Sequence, residues 1–357
     1  MAEESSCSTT FGHALFDDIK PEFHFVNGMR HVKSYFFTYK TYCKERWLRR
    51  PLIDVFHSEF VDRSKDYYSS AILNGLIRVN GKVVPESYLL TDNDLITHNI
   101  ERHEPPVSGE EIKIIHETED MLVVEKPAPL PVHPSGRYRF NTLVGILMTV
   151  MGYKKLSLIN RIDKSVSGIV IMAKHEAAAR ALHNSMSGRE IRKEYICKVK
   201  GIFPDSIECH QPLNTFDHRH CLNAVMSDGK PCSTLFQRLF TKDEFSIVKA
   251  MPLTGRSHQI RVHLQFLGFP ICNDSLYNSD AWPADKTPPF TTEELRRVCE
   301  NMLAKKSLPR EPLCKCSSCT IEGFGEELYE TIHLHAYRYS SSDFEFRSRL
   351  PSWARLE

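Results

Sequence analysis

No apolar run in the sequence approaches the roughly 20 residues of a membrane-spanning helix, which excludes an α-helical integral membrane protein. Residues 1–10 hold no Arg and no apolar segment, unlike a secretory or organellar presequence, so the expected address is cytoplasm or nucleus. An excess of one charge is also missing. Lys and Arg total 46 against 45 Asp and Glu, so any nucleic-acid surface must be a local basic patch on a nearly neutral molecule. The 11 cysteines are unevenly spread and complete no paired Cys-x-x-Cys framework, which predicts reduced thiols and no structural disulfide. Cys314, Cys316 and Cys319, with His333 or Cys272 as conceivable partners, therefore read as loop thiols rather than a zinc site. Hydrophobic residues at 41% and charged residues at 25% are ordinary for a globular protein, and 357 residues exceed one average domain. The expectation is a monomer with a large catalytic body and a smaller appended module.

Along the chain, residues 1–45 mix aromatics and His without a sustained period and are left as an N-terminal extension that packs on the body. Residues 46–105 read as the module: helices over 51–60 and 66–73, then a hairpin over 76–84 whose Asn80-Gly81 supplies the positive φ angles of a two-residue turn. A strand over 94–98 closes it. Arg46, Arg49, Arg50 and Arg78 are its candidate phosphate contacts, against the plainer alternative of a solvated basic face. Glu104-Pro105-Pro106-Val107-Ser108-Gly109 reads as a linker, because Pro-Pro continues neither a helix nor a central strand. The main domain is placed at 110–350. Its strands fall at 112–115, 121–124, 167–173, 195–199, 234–240, 245–250 and 331–339, its helices at 142–151, 176–186 and 257–267, and an insertion at 283–326. Irregular interleaving with consecutive strand pairs fits an α+β fold with a mixed sheet better than a doubly wound one.

Three separated stretches carry the candidate chemistry. In the first, Asn160-Arg161-Ile162-Asp163-Lys164-Ser165-Val166-Ser167-Gly168, an acid sits between two cations on a turn that leads into an apolar strand. Arg161 and Lys164 can hold phosphate while Asp163 faces a reactive centre. The second runs Arg192-Lys193-Glu194-Tyr195-Ile196-Cys197-Lys198-Val199 and alternates as a half-exposed strand does, so Tyr195 is available to stack on an extruded base. The third, 253–264, has Gly255 opening a helix whose first turns carry Arg256, His258, Gln259, Arg261 and His263, a donor density suited to an anion. On a 3.6-residue period Ile260, Leu264 and Leu267 form the core stripe, and Arg261 beside them can reach a carboxylate. Taken alone, the first two stretches have an ordinary structural alternative: a turn Asp paired with nearby cations, and a strand aromatic.

Together and in this order, the three stretches resemble the RluA-type family of RNA pseudouridine synthases. The family signature His-Arg-Leu-Asp-Arg-x-Thr-Ser-Gly stands here as residues 160–168, with Asn160 for His, Lys164 for Arg and Val166 for Thr. Lys193-Glu194-Tyr195 matches the strand of the family tyrosine, and residues 255–264 match Gly-Arg-x-His-Gln-Ile-Arg-Val-His-Leu. Glu125-Lys126-Pro127 and Leu130-Pro131-Val132-His133-Pro134 resemble a further family stretch, with Pro129 where glycine is usual. The resemblance covers about 112–339; residues 46–100 resemble an S4-type RNA-binding domain, and Arg102-His103-Glu104-Pro105-Pro106 resembles the string joining the two in eukaryotic members.

That resemblance implies a cofactor-free isomerase with a mixed, mainly antiparallel sheet, acting on tRNA first and rRNA second. It implies Asp163 as the essential carboxylate, Tyr195 and Arg261 beside it, and Arg161, Lys164, Arg256, His258 and Gln259 on the RNA. The competing reading, an inactive RNA chaperone on the same fold, is disfavoured by Asp163, Tyr195 and Arg261 occurring together. A zinc nucleobase deaminase is excluded, since His57-Ser58-Glu59 is followed by no Pro-Cys-x-x-Cys.

Overall fold

The computed structural model describes residues 10–12, 15–16, 18–60, 63–217, 222–283, 290–306 and 330–355. These fall into two compact units, a smaller one at Lys33–His103 and a larger one on either side of it in sequence.

The N-terminal residues are structured where they are described. Strand β1 (Thr10–Gly12) and the hairpin β2 (Phe23–Val26) with β3 (Met29–Val32) belong to the larger unit. The smaller unit consists of β4 (Tyr35–Tyr42), α1 (Leu52–Glu59), α2 (Lys65–Leu73), β5 (Ile77–Val79) and β6 (Leu95–Arg102), with sheet order β4-β6-β5. Its first strand precedes residue 46, where the sequence reading began the module, because β4 pairs along its whole length with β6. Its core gathers Trp47, Leu52, Val55, Phe56, Tyr68, Ile72, Ile77 and Ile96. Asn80 at φ 51° and Gly81 at φ 76° form the turn read from sequence, closed by paired hydrogen bonds between Val79 and Lys82. The hairpin does not continue beyond it: β5 takes β6 as its ladder partner, and Val83 is left exposed.

The larger unit continues with β7 (Val107–Ser108), β8 (Lys113–Glu117), β9 (Met121–Lys126), α3 (Leu143–Thr149), β10 (Lys155–Leu158), β11 (Ser167–Ala173), α4 (Glu176–Ser187), β12 (Arg192–Lys200), β13 (Ser206–Cys209), β14 (Leu213–Asp217), β15 (Leu222–Val225), β16 (Thr234–Lys242), β17 (Phe245–Pro252), α5 (Gln259–Phe266), α6 (Thr292–Lys306), β18 (Leu334–Ser340) and β19 (Glu345–Arg347). An 11-stranded sheet runs β1-β10-β11-β18-β12-β17-β16-β13, with β9 and β8 branching from β11 and β19 from β18. Among the described residues β11–β18 is the one parallel pair in it, so the sheet is mixed and mainly antiparallel. At that pair the backbones approach closely. A Cβ on Gly168, at φ 114°, would lie 2.3 Å from the Ala336 carbonyl oxygen, so only glycine fits there.

The segment read as a linker is buried. The Glu104 carboxylate accepts the backbone N–H groups of Arg139, Phe140 and Asn141 at 2.8, 3.0 and 2.8 Å, and Val107 and Ser108 pair with β3. Pro-Pro does stop helix and sheet here, but the acid beside it satisfies three donors that would otherwise be orphaned. The segment read as an insertion contains helix α6, whose Leu295 and Val298 pack against Tyr277 and Trp282. Cys314, Cys316 and Cys319 lie outside the described residues. No helix among the described residues is long and apolar enough to cross a membrane.

Candidate active site

The loop between β10 and β11 carries Asp163, and two anchors fix it. Asn160 uses its whole amide: Oδ1 accepts the Ile171 N–H, while Nδ2 donates to the Ile169 carbonyl and the Tyr339 hydroxyl. Lys126, fully buried at the end of β9, donates from Nζ to the carbonyl oxygens of Pro127, Leu130 and Lys164 at 3.0, 2.7 and 3.4 Å. It thus ties the backbone on the far side of Asp163. Burial pushes the Lys126 pKa down, and the nearby Asp163 charge pulls against that shift.

Helix α5 presents the opposing cation. Arg261 Nη1 donates to Asp163 Oδ2 at 2.9 Å, while its Nε and Nη2 form a two-point bridge to Asp274 at 2.7 and 2.9 Å. Asp274, itself buried, also accepts the backbone N–H groups of Leu276 and Tyr277, and the Tyr277 ring lies 5.0 Å from the guanidinium carbon. The guanidinium is therefore fixed before any ligand arrives. Burial alone would raise the Asp163 pKa, but His258, Arg261 and Lys126 outweigh it and hold the carboxyl below the usual carboxylate range.

The donor-rich stretch before α5 is not the first turn of a helix, as the sequence reading had it. Helix α5 begins at Gln259, and His258 stands before it in a left-handed conformation at φ 57°. Gln259 is not free for RNA. Its Oε1 accepts from Thr254 Oγ1 and the Arg256 N–H, and its Nε2 donates to the Ser233 carbonyl and Thr234 Oγ1, so this amide pins the loop. His258 faces the acid rather than an open surface: Nε2 lies 3.6 Å from Asp163 Oδ2, and Nδ1 lies 2.9 Å from the Tyr277 hydroxyl. Because the Tyr277 oxygen already accepts the Asn223 N–H, its own hydrogen is available to Nδ1, which favours the imidazole proton on Nε2, toward Asp163. Burial lowers the His258 pKa, against the pull of Asp163. His263, counted among the same donors, is buried against Thr234 and the Gln211 carbonyl.

Tyr195 enters from β12, its hydroxyl 2.7 Å from that of Tyr339. Burial, then Tyr339 and Asp163, keep its pKa well above the ordinary phenol value, so it stays protonated. Asp163, Tyr195 and Arg261 line one groove of about 1060 Å³, together with Arg161, Lys164 and Arg256. Arg161 is exposed and reaches His133 at 3.3 Å. In the smaller unit Arg46 is held by Glu59 and Arg50 by Ser58, while Arg49 and Arg78 are exposed.

Comparison with known proteins fits this geometry. Residues 120–266 match the family described as RNA pseudouridylate synthase. Pseudouridylate synthase RPUSD2 of Mus musculus is 35% identical, over 93% of this chain and 73% of that protein. The chain belongs to the RluA-type family of RNA pseudouridine synthases. The mitochondrial tRNA pseudouridine(32) synthase of Saccharomyces cerevisiae is 38% identical to the synthase, over 94% of this chain and 79% of that one. RNA pseudouridine synthase 7 of Arabidopsis thaliana is 35% identical, over 94% and 89%.

Sequence reasoning missed Asp274, Tyr277 and Tyr339 in the synthase's site. Nothing in their spacing marks them: Asp274 and Tyr277 stand in none of the three stretches, and Tyr339 is only the end of the strand read at 331–339. Lys126 belongs to the Glu125-Lys126-Pro127 stretch, whose sequence carries no sign of its burial.

Proposed function

We propose that the larger unit isomerises a uridine to pseudouridine in structured RNA, tRNA first, with Asp163 as the acting carboxylate. The observation that carries this is the 2.9 Å contact between Arg261 and Asp163 inside a groove that also contains the Tyr195 phenol. The reaction conserves all atoms: the N-glycosidic bond breaks, the uracil turns, its C5 bonds to the same sugar carbon, and the proton lost from C5 is balanced by one taken up at the freed N1. A nucleotide turned out of its stack, at a cost of a few kcal/mol, recovers part of that on Tyr195. Arg161, Lys164 and Arg256 hold its phosphates. Asp163 acts either as a nucleophile toward the sugar or base, or as a base toward a sugar proton beside a glycal-like intermediate. Both routes need the ionised carboxylate that Arg261 maintains, and neither needs a cofactor.

tRNA as the first substrate follows the activity named for the yeast relative, a tRNA pseudouridine(32) synthase. The smaller unit, by its resemblance to S4-type domains, serves as an RNA-holding module. Transcriptome-wide pseudouridine mapping in cells carrying the wild-type chain or Asp163→Asn tests the reading. Sites that vanish with Asp163→Asn, and lie in tRNA, are expected; an unchanged map refutes it, and vanishing sites confined to other RNAs refute the tRNA assignment.

A further inference from the structure

Helices α1 and α2 pack on the face of the smaller unit's sheet that carries Ile77, Val79 and Ile96, and the residues of the opposite face are largely exposed. Strand β4 alternates across the sheet. Tyr35 is buried and Phe37 and Tyr39 lie under the Arg102 guanidinium, whereas Phe36 is 79% and Tyr42 64% exposed on the opposite side, with Thr38 and Lys40 between them. Thr38 Oγ1 donates to Asn99 Oδ1 at 2.6 Å, which places Asn99 on the same open face. Register puts Lys40 opposite Thr97, and Thr97 opposite Arg78, in one row across the three strands. Arg78 uses Nε on the Gly75 carbonyl, and Lys40 forms no ion pair among the described residues. Glu101, opposite Phe36, is engaged by Ser34 and lies 4.0 Å from His103.

This face does not suit a protein partner of the usual kind, whose contact patch has a continuous apolar centre. Two exposed rings are instead separated by hydroxyls, an amide and two cations. At about 3.4 Å per residue the six-residue step from Phe36 to Tyr42 spans roughly 20 Å, the length of about six stacked nucleotides. Rings offer π-faces to any unpaired base, and interleaved cations offer charge to the backbone between. We propose that this open face is a docking platform for an unpaired segment of the RNA, with bases stacked on Phe36 and Tyr42 and phosphates on Lys40 and Arg78. It rests on RNA being the substrate and adds which feature of that RNA is read and where.

The test uses the full chain and fluorescence anisotropy with a ten-nucleotide oligocytidine, which offers no uridine to the Asp163 groove, and a blunt RNA duplex of equal length. Phe36→Ala with Tyr42→Ala is expected to weaken single-strand binding about 30-fold or more, two stacked bases at about 1–3 kcal/mol each, and leave duplex binding unchanged. Phe36→Tyr with Tyr42→Phe keeps both rings and should bind within about twofold of wild type, as the same stacking surface remains. Lys40→Gln with Arg78→Gln should flatten the log-affinity against log-salt slope by about 1.4, two phosphates at 0.7 each. Unchanged single-strand affinity in a normally folded double-alanine variant overturns the platform. So does a wild-type dimer that this variant abolishes, since the face would then join two copies of the chain. Binding is read without turnover, so a failed isomerase reading shows instead as missing pseudouridine with the wild-type chain on its RNA.

Discussion

Replacing Asp274 by Asn removes one charge from a buried pair while changing almost no volume. Asp274 accepts two N–H groups of Arg261 at 2.7 and 2.9 Å and two backbone N–H groups, all within the core beside the groove. An amide has one acceptor oxygen, so one guanidinium N–H would face an NH₂ and lose its partner. Removing one partner from a buried ion pair costs about 3–5 kcal/mol. At about 2–4 °C per kcal/mol in a domain of this size, Tm should fall by about 6–20 °C. The functional consequence follows from geometry: Arg261 is aimed at Asp163 by the other two-thirds of its fork, and a displacement of about 1 Å can cost about 100-fold in rate. Single-turnover rates measured well below the lowered Tm, with RNA affinity measured in parallel, separate misalignment from unfolding. A large drop in rate at near-normal affinity is expected. A variant with wild-type Tm and rate would refute the idea that Asp274 positions Arg261.

Four further outcomes are expected. Tyr195→Phe breaks the hydroxyl pair with Tyr339 and should lower the single-turnover rate more than RNA affinity, with equal losses in both counting against a role beside the reacting base. His258→Asn removes the imidazole beside Asp163 and should slow turnover at pH 7 without changing RNA affinity; loss of affinity alone would return His258 to phosphate binding. Arg261→Gln leaves burial, which raises the Asp163 pKa, without the guanidinium that lowers it. Asp163 should then take up its proton at higher pH, so the acid limb of kcat/KM moves upward; a limb that stays put would mean Arg261 does not govern the ionisation. Lys126→Met strands three carbonyl oxygens and, at about 1–3 kcal/mol for an unsatisfied buried group, should lower stability in urea by several kcal/mol. Unchanged stability would show that Lys126 does not hold the Asp163 loop.

Local pattern carried much of the architecture. The strand at Ser167–Ala173 and the helix from Glu176 were legible because a short continuous apolar run and Ala-rich spacing decide them within a few residues. The Asn80-Gly81 turn was legible for the same reason. What escaped depends on contacts between distant residues. Glu104 looks like a linker acid until residues 139–141 bring their amides to it. Gln259 looks like an RNA ligand until Thr254, Ser233 and Thr234 use up its amide. Asp163, Tyr195 and Arg261 could be named in advance because each sits in a recognisable local string. Asp274, which aims one of them, sits in none. Asn160, a departure from the family's usual His, keeps a full set of hydrogen bonds to β11 and Tyr339, so the loop is anchored without the imidazole.

The most direct measurement is single-turnover pseudouridine formation on one defined RNA by the purified chain and by Asp163→Asn, with RNA affinity determined for both. Full conversion by the wild-type chain, none by the variant and matching dissociation constants are predicted. Conversion by Asp163→Asn at a rate near wild type would contradict the account.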